Sequence, residues 1–178
     1  SIDRVMCTHL HFDHVGWNTR PVDGKWVPTF ANARYLFNKA EWEFWKDHED
    51  PYGANTLEHA LLPVINAGLV DLVDTHHKVN DEISLIPTPG HTPGHVSVLI
   101  QSKGAEAVIT GDMFHHPCQM AHPEWIDMAD SSSTQAEQTR REFMQRFGNR
   151  PSLVLGTHFA TPTAGHIVSD GKGWRFDT

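Results

Sequence analysis

The chain has 178 residues, a formal net charge of −8 at pH 7 and 39% hydrophobic residues, and it is long enough to bury a core. The negative net charge and the lack of a cluster of Lys and Arg argue against nucleic acid as a partner. No apolar run approaches the roughly 20 residues that span a bilayer, and no signal peptide is visible. We therefore expect no membrane partner and a cytoplasmic location, which fits the two cysteines, Cys7 and Cys118.

Strands and helices are both predicted in the first half of the chain. The strands are expected over residues 2–7 and 34–37, and the helices over 39–49 and 56–68. A loop is expected over 16–30, with a turn at 23–24. Asn38 is the expected N-cap of the first helix. Gly68 is expected to end the second helix.

The second half is predicted to be richer in strands. Short β-branched runs occupy residues 69–74, 82–88, 95–101, 106–110 and 152–156, and a terminal hairpin covers 165–176. One helix interrupts them, from a capping box formed by Thr134 and Glu137 to Phe147. Its predicted buried stripe consists of Ala136, Phe143, Met144 and Phe147. The whole pattern indicates one α/β domain.

Three histidines and an aspartate crowd the segment CTHLHFDH, which follows the first predicted strand. They have the spacing H-x-H-x-D-H and are His9, His11, Asp13 and His14. Side chains two residues apart can turn toward one point where an extended chain bends into a loop. Four donors would leave one tetrahedral ion no room for substrate, so the pattern predicts two adjacent metal ions. A His-rich polar loop without metal is the alternative.

Histidine or aspartate also follows three later predicted strands. The segments are PTPGHTPGH with His91, VITGDMFHH with Asp112, and LVLGTHF with His158. Prolines and glycines around His91 make its loop rigid, which aims the ring at a low entropic cost. Four such strand ends predict an α/β site built from loops at one edge of a sheet.

Together these segments resemble the metallo-β-lactamase-fold hydrolase superfamily. The matching residues are H-x-H-x-D-H at 9–14, G-H-T-P-G-H at 90–95, T-G-D at 110–112 and G-T-H at 156–158. The resemblance implies an α/β (α+β) protein with the αββα sandwich of that fold, as a single domain over residues 1–178. Because family members begin with several strands before the first motif, we expect the fold to be truncated at its N-terminus.

The resemblance further implies a dinuclear metal site. Its ligands would be His9, His11 and His91 on the first ion, Asp13, His14 and His158 on the second, and Asp112 as a bridge. Two zinc ions are expected, although iron, manganese or cobalt also suit mixed His and Asp ligands. Two ions about 3.5–4 Å apart can share a hydroxide that attacks a carbonyl carbon. Asp13 would help to orient this nucleophile.

The segment GDMFHHP resembles the branch of N-acyl homoserine lactonases and methyl-parathion-hydrolase-like enzymes. The expected activity is metal-dependent hydrolysis of a lactone or ester, with a small molecule as substrate. His115 stands where lactonases of this fold carry a tyrosine, and we expect it to act as an oxyanion donor or leaving-group acid. Other expected substrate contacts are Trp17, Trp26 and Phe114, with packing as the alternative for the tryptophans. His95 is expected to be structural.

Other functions remain open at this point. The same site would suit a phosphotriesterase or a β-lactam hydrolase, and hydrolysis of a lactone but not of paraoxon would separate these activities. A non-catalytic metal-binding fragment is the alternative of another class. An exposed sheet edge would also favour pairing between copies, so we expect a homo-oligomer.

Overall fold

The computed structural model describes residues 2–48 and 55–178, and these form two compact units that meet in sequence between Asp74 and Thr75. The strands of the N-terminal unit are β1 (Arg4–Met6), β2 (Thr19–Val22), β3 (Lys25–Pro28), β4 (Arg34–Asn38) and β5 (Val70–Val73). Its helices are α1 (Phe12–Val15), α2 (Lys39–Trp45) and α3 (Leu62–Asn66), with a π-helical turn at Leu57–Leu61.

The core of the N-terminal unit is built around β4. This strand lies between β1 and β5 and is parallel to both, in a three-stranded sheet. Tyr35 and Phe37 on β4 are fully buried, as expected of a strand in a parallel sheet. The Tyr35 hydroxyl donates to the carbonyl oxygen of Asn18 and accepts from the backbone N–H of Phe30, each over 3.0 Å. It thereby fixes the chain that follows the first histidine motif.

The structure corrects two predictions in this unit. The predicted loop over residues 16–30 contains the hairpin β2-β3, whose turn does fall at Asp23-Gly24. Its strands are short and mostly polar or partly exposed, so they lack a hydrophobic alternation. The helix predicted over 56–68 runs without a gap from 56 to 66, but its Leu57–Leu61 part is a π-helical turn, and Pro63, which has no N–H for the helical ladder, lies in the first turn of α3.

The other helix predicted in this unit begins as expected. Asn38 is its N-cap, with the side chain accepting from the N–H of Ala40 over 2.8 Å. Within the described residues the helix ends at Trp45. Glu49, the last residue of the prediction, lies outside the described residues.

The C-terminal unit contains a six-stranded sheet. Its strands are β6 (Ile83–Pro87), β7 (Val96–Ser102), β8 (Ala105–Ile109), β9 (Leu153–Leu155), β10 (Ala164–Asp170) and β11 (Gly173–Asp177), which lie side by side in this order. Its helices are α4 (Cys118–Ala121) and α5 (Ser133–Phe147), and a 3-10 turn occupies Gly111–Met113. The pairs β6-β7 and β7-β8 are antiparallel, whereas β8-β9 is parallel. Hence β6, β8 and β9 run in one direction, and the loops after them leave the same edge.

Helix α5 covers the core of the C-terminal unit. All four residues of its predicted apolar stripe are buried, and the N–H of Gly148 bonds to the carbonyl of Met144 at its end. The predicted capping box at Thr134 is wrong. The helix begins earlier, because Ser132 has an extended backbone and its side chain accepts from the N–H of Gln135. Among the described residues, no helix is both long and apolar enough to cross a bilayer.

Candidate metal centre

The loop after β1 brings all four polar residues of the first motif together. His9 and His11 are buried, and His9 Nε2 lies 3.0 Å from His11 Nδ1. The ring of His14 packs against that of His9 with centroids 4.1 Å apart, and Asp13 lies 3.4 Å from His14 Nε2. The N-terminal unit alone thus concentrates imidazole nitrogens and one carboxylate in a short loop.

A buried carboxylate holds this loop. Glu41 on α2 is completely buried, and its Oε2 accepts from the backbone N–H of Leu10 over 3.1 Å and from Trp45 Nε1 over 2.9 Å. Leu10 lies between His9 and His11, so this bond fixes the peptide that joins them. The ring of His11 also packs edge-on against Trp45, with centroids 5.1 Å apart.

In the C-terminal unit, one carboxylate oxygen faces three imidazole nitrogens. Asp112 Oδ2 lies 3.0 Å from Nε2 of His158, 3.3 Å from Nε2 of His115 and 3.6 Å from Nε2 of His91. His91, Asp112 and His158 follow β6, β8 and β9, the three strands whose ends leave the same sheet edge. Of the four predicted strand ends, this sheet supplies three, whereas the first motif follows β1 in the other sheet.

A buried ion pair orients His91. Its Nδ1 lies 3.1 Å from Asp130 Oδ1, and Asp130 Oδ2 accepts from the Arg140 guanidinium over 2.8 Å. Burial by itself raises the pKa of Asp130, but the hydrogen bond from His91 and the charge of Arg140 outweigh it, so this pKa is lowered. An ionised Asp130 only accepts hydrogen bonds. His91 Nδ1 therefore donates to Asp130, and Nε2 is the ring nitrogen that faces Asp112.

His115 lies among several carboxylates. Burial by itself lowers its pKa, but the hydrogen bond and charge of Asp112, with the charges of Asp127 and Asp130, outweigh this effect and raise the pKa. Its ring stacks on that of His158, with centroids 5.2 Å apart. One ligand atom from each of His91, Asp112 and His115 lies within 4.8 Å of the others. His115 is therefore close enough to Asp112 to exchange a proton with it or to bind the same ion.

His95 is buried and hydrogen-bonded, as expected of a structural histidine. Its Nε2 accepts from the backbone N–H of Asp112 over 3.0 Å, and its Nδ1 lies 2.8 Å from Thr88 Oγ1. These two partners are a backbone group and a hydroxyl.

The three aromatic residues predicted to contact substrate have different surroundings. Trp17 is 81% exposed, whereas Trp26 is 40% exposed and stacks on His59, with centroids 5.0 Å apart. Phe114 is fully buried in the core of the C-terminal unit and packs edge-on against Phe143. Its contact with substrate stays a prediction, and so do the contacts of the two tryptophans.

Sequence reasoning missed the residues that hold the ligands. Glu41, Asp130 and Arg140 have buried charged side chains, and they contact residues far away along the chain. The segments around them carry no metal-ligand spacing that would have singled them out. The sequence offers only a weak signal at Arg140, a charged residue on the apolar stripe of α5, four residues after Ala136 and three before Phe143.

The donor chemistry of both clusters fits a metal. Imidazole nitrogens and carboxylate oxygens are the common zinc ligands, and a carboxylate that orients a ligand histidine recurs at such centres. The Asp130–His91 pair provides this orientation. A mixed α/β protein with these clusters after its strands has the features of the class of metal-dependent hydrolases.

A family model described as the metallo-beta-lactamase superfamily matches residues 1–158, and the chain belongs to that superfamily. The family prediction is therefore confirmed. The crystal structure of a hydrolase in the beta-lactamase superfamily aligns with a TM-score of 0.85 and 28% identity, over 98% of this chain and 63% of that one. This confirms the predicted fold class, the metallo-β-lactamase fold. The single domain stays a prediction.

Named relatives include lactonases and a metallo-hydrolase. An N-acyl homoserine lactonase from Bacillus sp is 31% identical over 105 residues, which are 59% of this chain and 35% of the relative. A probable metallo-hydrolase from Bacillus subtilis (strain 168) is 24% identical over 194 residues, covering 93% of this chain and 67% of that protein. A dizinc quorum-quenching lactonase with a bound product aligns with a TM-score of 0.83 at 21% identity, over 98% of this chain and 63% of that one, which shows the fold alone.

The chain spans only part of these proteins. Its match covers about a third of the lactonase sequence and less than two thirds of either aligned structure.

Proposed function

We propose that this chain carries the metal centre of a hydrolase that cleaves a lactone or ester bond. The proposed ligands are His9, His11 and His91 for one ion, Asp13, His14 and His158 for a second ion, and Asp112 as a bridge between them. The observation that carries the proposal is the crowding of three imidazole Nε2 atoms within 3.6 Å of one Asp112 oxygen.

The orientation of His91 favours a cation at this place. Its Nδ1 is bonded to Asp130, so its Nε2 is the nitrogen that faces the Asp112 oxygen, 3.6 Å away. An imidazole nitrogen and a carboxylate oxygen at this separation can both bind one cation. The pair of buried imidazoles at His9 and His11 supports the same conclusion for the N-terminal unit.

Two zinc ions suit these ligands, and iron, manganese or cobalt are chemically compatible with them. Such ions, when bound, supply a hydrolytic nucleophile near neutral pH and act as Lewis acids toward a carbonyl oxygen. The lactonase relatives support a lactone as the first substrate class to test.

The chain's own side chains have separate tasks in this proposal. Asp13 binds metal and helps to orient the nucleophile. His115 holds a proton at Nε2, 3.3 Å from Asp112, and donates it to the carbonyl oxygen or to the departing alkoxide. The carboxylates around His115 favour this protonated form. The exposed indole rings of Trp17 and Trp26 offer apolar surface to the substrate.

Elemental analysis of protein purified without added metal tests the ligand set. We expect about two equivalents per chain in the wild type and fewer in Asp112→Asn, because the bridging carboxylate is lost. Asp81→Asn is the matched control, since that carboxylate is fully exposed. A folded wild type that contains no metal and takes up no added zinc would contradict the proposal.

A substrate panel tests the reaction. An N-acyl homoserine lactone, an aryl ester, paraoxon and a β-lactam are compared before chelation, after chelation and after zinc is restored. We expect hydrolysis of the lactone or the ester that disappears on chelation and returns with zinc. Turnover of paraoxon or the β-lactam alone would assign the centre to the corresponding alternative. Two bound metals without any turnover would favour a non-catalytic metal-binding fragment.

A further inference from the structure

We infer that His95 is a positioning residue for Asp112, and that a directed set of hydrogen bonds through its ring ties the loop of His91 to the turn of Asp112. This inference deepens the proposed function and rests on it, because Asp112 is a proposed metal ligand. Every residue involved belongs to the C-terminal unit.

The ring of His95 is one member of a continuous set of hydrogen bonds, called here the His95 network. It begins at the N–H of Asp112, which donates to His95 Nε2, and continues from His95 Nδ1 to Thr88 Oγ1. Thr88 Oγ1 lies 3.0 Å from Ser97 Oγ, and the Ser97 hydroxyl donates to the carbonyl oxygen of Thr110 over 2.8 Å. All of its side chains are buried.

The two ends of the network fix its direction. A backbone N–H only donates, so Nε2 of a neutral His95 must accept and the ring proton must lie on Nδ1. At the other end a carbonyl only accepts, so the Ser97 proton points to Thr110. Ser97 Oγ must then accept from Thr88, and Thr88 accepts from His95. One tautomer and one set of hydroxyl orientations satisfy all four bonds.

The two ends of the network bond to the peptide groups on either side of Gly111. It starts at the N–H of Asp112 and ends at the carbonyl of Thr110, so it binds both peptide groups of Gly111. Gly111 has a φ of +59°, in the left-handed region that favours glycine. Restraining both of its peptide groups restrains the direction in which the chain leaves β8. The Asp112 side chain, one residue later, takes its orientation from this turn.

The same network also spans the loop of His91. Thr88 and His95 stand at the two ends of this loop, and the N–H of Thr88 donates to the His95 carbonyl over 3.0 Å. His91 lies between them and is held on its other side by Asp130. One buried network therefore sets Asp112 relative to His91, which a histidine that only filled space in the core would not do.

Hydrogen-bonding partners that orient metal ligands typically change metal affinity by about 10- to 100-fold when they are removed. We expect this loss in His95→Phe, which keeps the size of the ring and removes both of its hydrogen bonds. His95→Gln restores an acceptor for the N–H of Asp112 and should recover part of the affinity. Thr88→Val breaks the network one step further away and should have a smaller effect.

The experiment uses the full chain with ¹⁵N-labelled histidine. Long-range ¹H–¹⁵N correlation of the metal-free wild type is expected to show His95 with a protonated Nδ1 and an unprotonated Nε2, assigned by loss of these signals in His95→Phe. Zinc affinity is then measured by chelator competition for wild type and variants. His166→Phe is the control histidine, because its Nδ1 contacts the Ser152 carbonyl on another part of the sheet. Thr163→Val is the control for Thr88→Val, because Thr163 is exposed and lies outside the His95 network.

Two results together support the inference. The first is the predicted tautomer of His95. The second is a loss of at least 10-fold in zinc affinity in His95→Phe, with His95→Gln between this variant and the wild type and no loss in either control. A proton on Nε2, or affinities of His95→Phe and Thr88→Val within 2-fold of wild type, overturns it. If His95→Phe does not fold, the wild-type tautomer and Thr88→Val decide. A wild type that binds no zinc overturns the proposed metal centre together with the positioning role, whereas failure of the variants alone overturns only the role of His95.

Discussion

The two candidate ligand clusters are held by different means. In the C-terminal unit, His91 is bonded to a carboxylate that is itself paired with a buried guanidinium. In the N-terminal unit, the loop of His9 and His11 is held through its backbone, by the bond from Leu10 to Glu41. The first arrangement fixes the orientation of a ring, whereas the second fixes the chain between two rings. The difference indicates that the C-terminal ligands are the more sensitive to loss of one distant side chain.

Asp130→Ala should have the largest effect. It leaves the buried Arg140 without its carboxylate and releases the ring of His91, so we expect the free energy of unfolding to fall by about 3–5 kcal/mol. Zinc affinity should fall by about 10- to 100-fold. Chemical denaturation and chelator competition measure the two effects. Asp81→Ala, which removes a fully exposed partner of Lys78, should leave the free energy of unfolding almost unchanged. Similar values for the two variants would contradict the comparison.

Gly90→Ala should cause the next largest loss in the free energy of unfolding. An added Cβ would lie 2.4 Å from the backbone of Ala136 on α5, and Gly90 also has a φ of +133°. Overpacking and the unfavourable backbone together should cost about 2–4 kcal/mol and displace the loop of His91.

Gly104→Ala is the matched control for this prediction. Its φ is +82°, but an added Cβ would meet nothing within 4 Å, so only the backbone cost of about 1–2 kcal/mol applies. Thermal and chemical denaturation measure both variants. Equal losses would show that the close approach to α5 does not constrain this loop.

Glu41→Gln tests the N-terminal cluster and should have a smaller effect. A glutamine oxygen can still accept from Leu10 and Trp45, so we expect only the charge-assisted part of these bonds to be lost, about 1 kcal/mol. Chemical denaturation measures it against Glu43→Gln, whose carboxylate pairs with Lys46 at the surface. A loss as large as that of Asp130→Ala would mean that both clusters depend equally on one buried carboxylate.

The smallest expected effect is a change in sedimentation mass caused by self-association. Within the described residues β1 and β5 are the edges of the three-stranded sheet, and an uncovered edge can pair with a strand from another copy. We expect a sedimentation mass above that of one chain at micromolar concentration. Leu72→Lys, at an exposed position on β5, should lower this mass, whereas a wild type that sediments as a monomer would refute the prediction.

Some features were predictable because they depend on local sequence. The apolar stripe of α5 follows from the helical period, the Asn38 cap from side-chain chemistry, and the turn at Asp23-Gly24 from residues that tolerate a positive φ. The strands β2 and β3 were missed because they bury too little surface to leave an alternating pattern. The start of α5 was misplaced because a serine two residues earlier satisfies its first turn.

The sequence by itself determined which candidate ligand residues there are, their order and their positions after strands, since four short motifs contain these donors directly. It also determined the superfamily, which the match over residues 1–158 confirms. Only the tertiary structure decided which side chains hold the candidate ligands. Asp130 is 39 positions from His91 and Glu41 is 31 positions from Leu10, and no spacing rule joins residues so far apart. They meet because packing brings distant segments together. A charged side chain is stable in the interior only where it has a hydrogen-bonding or oppositely charged partner.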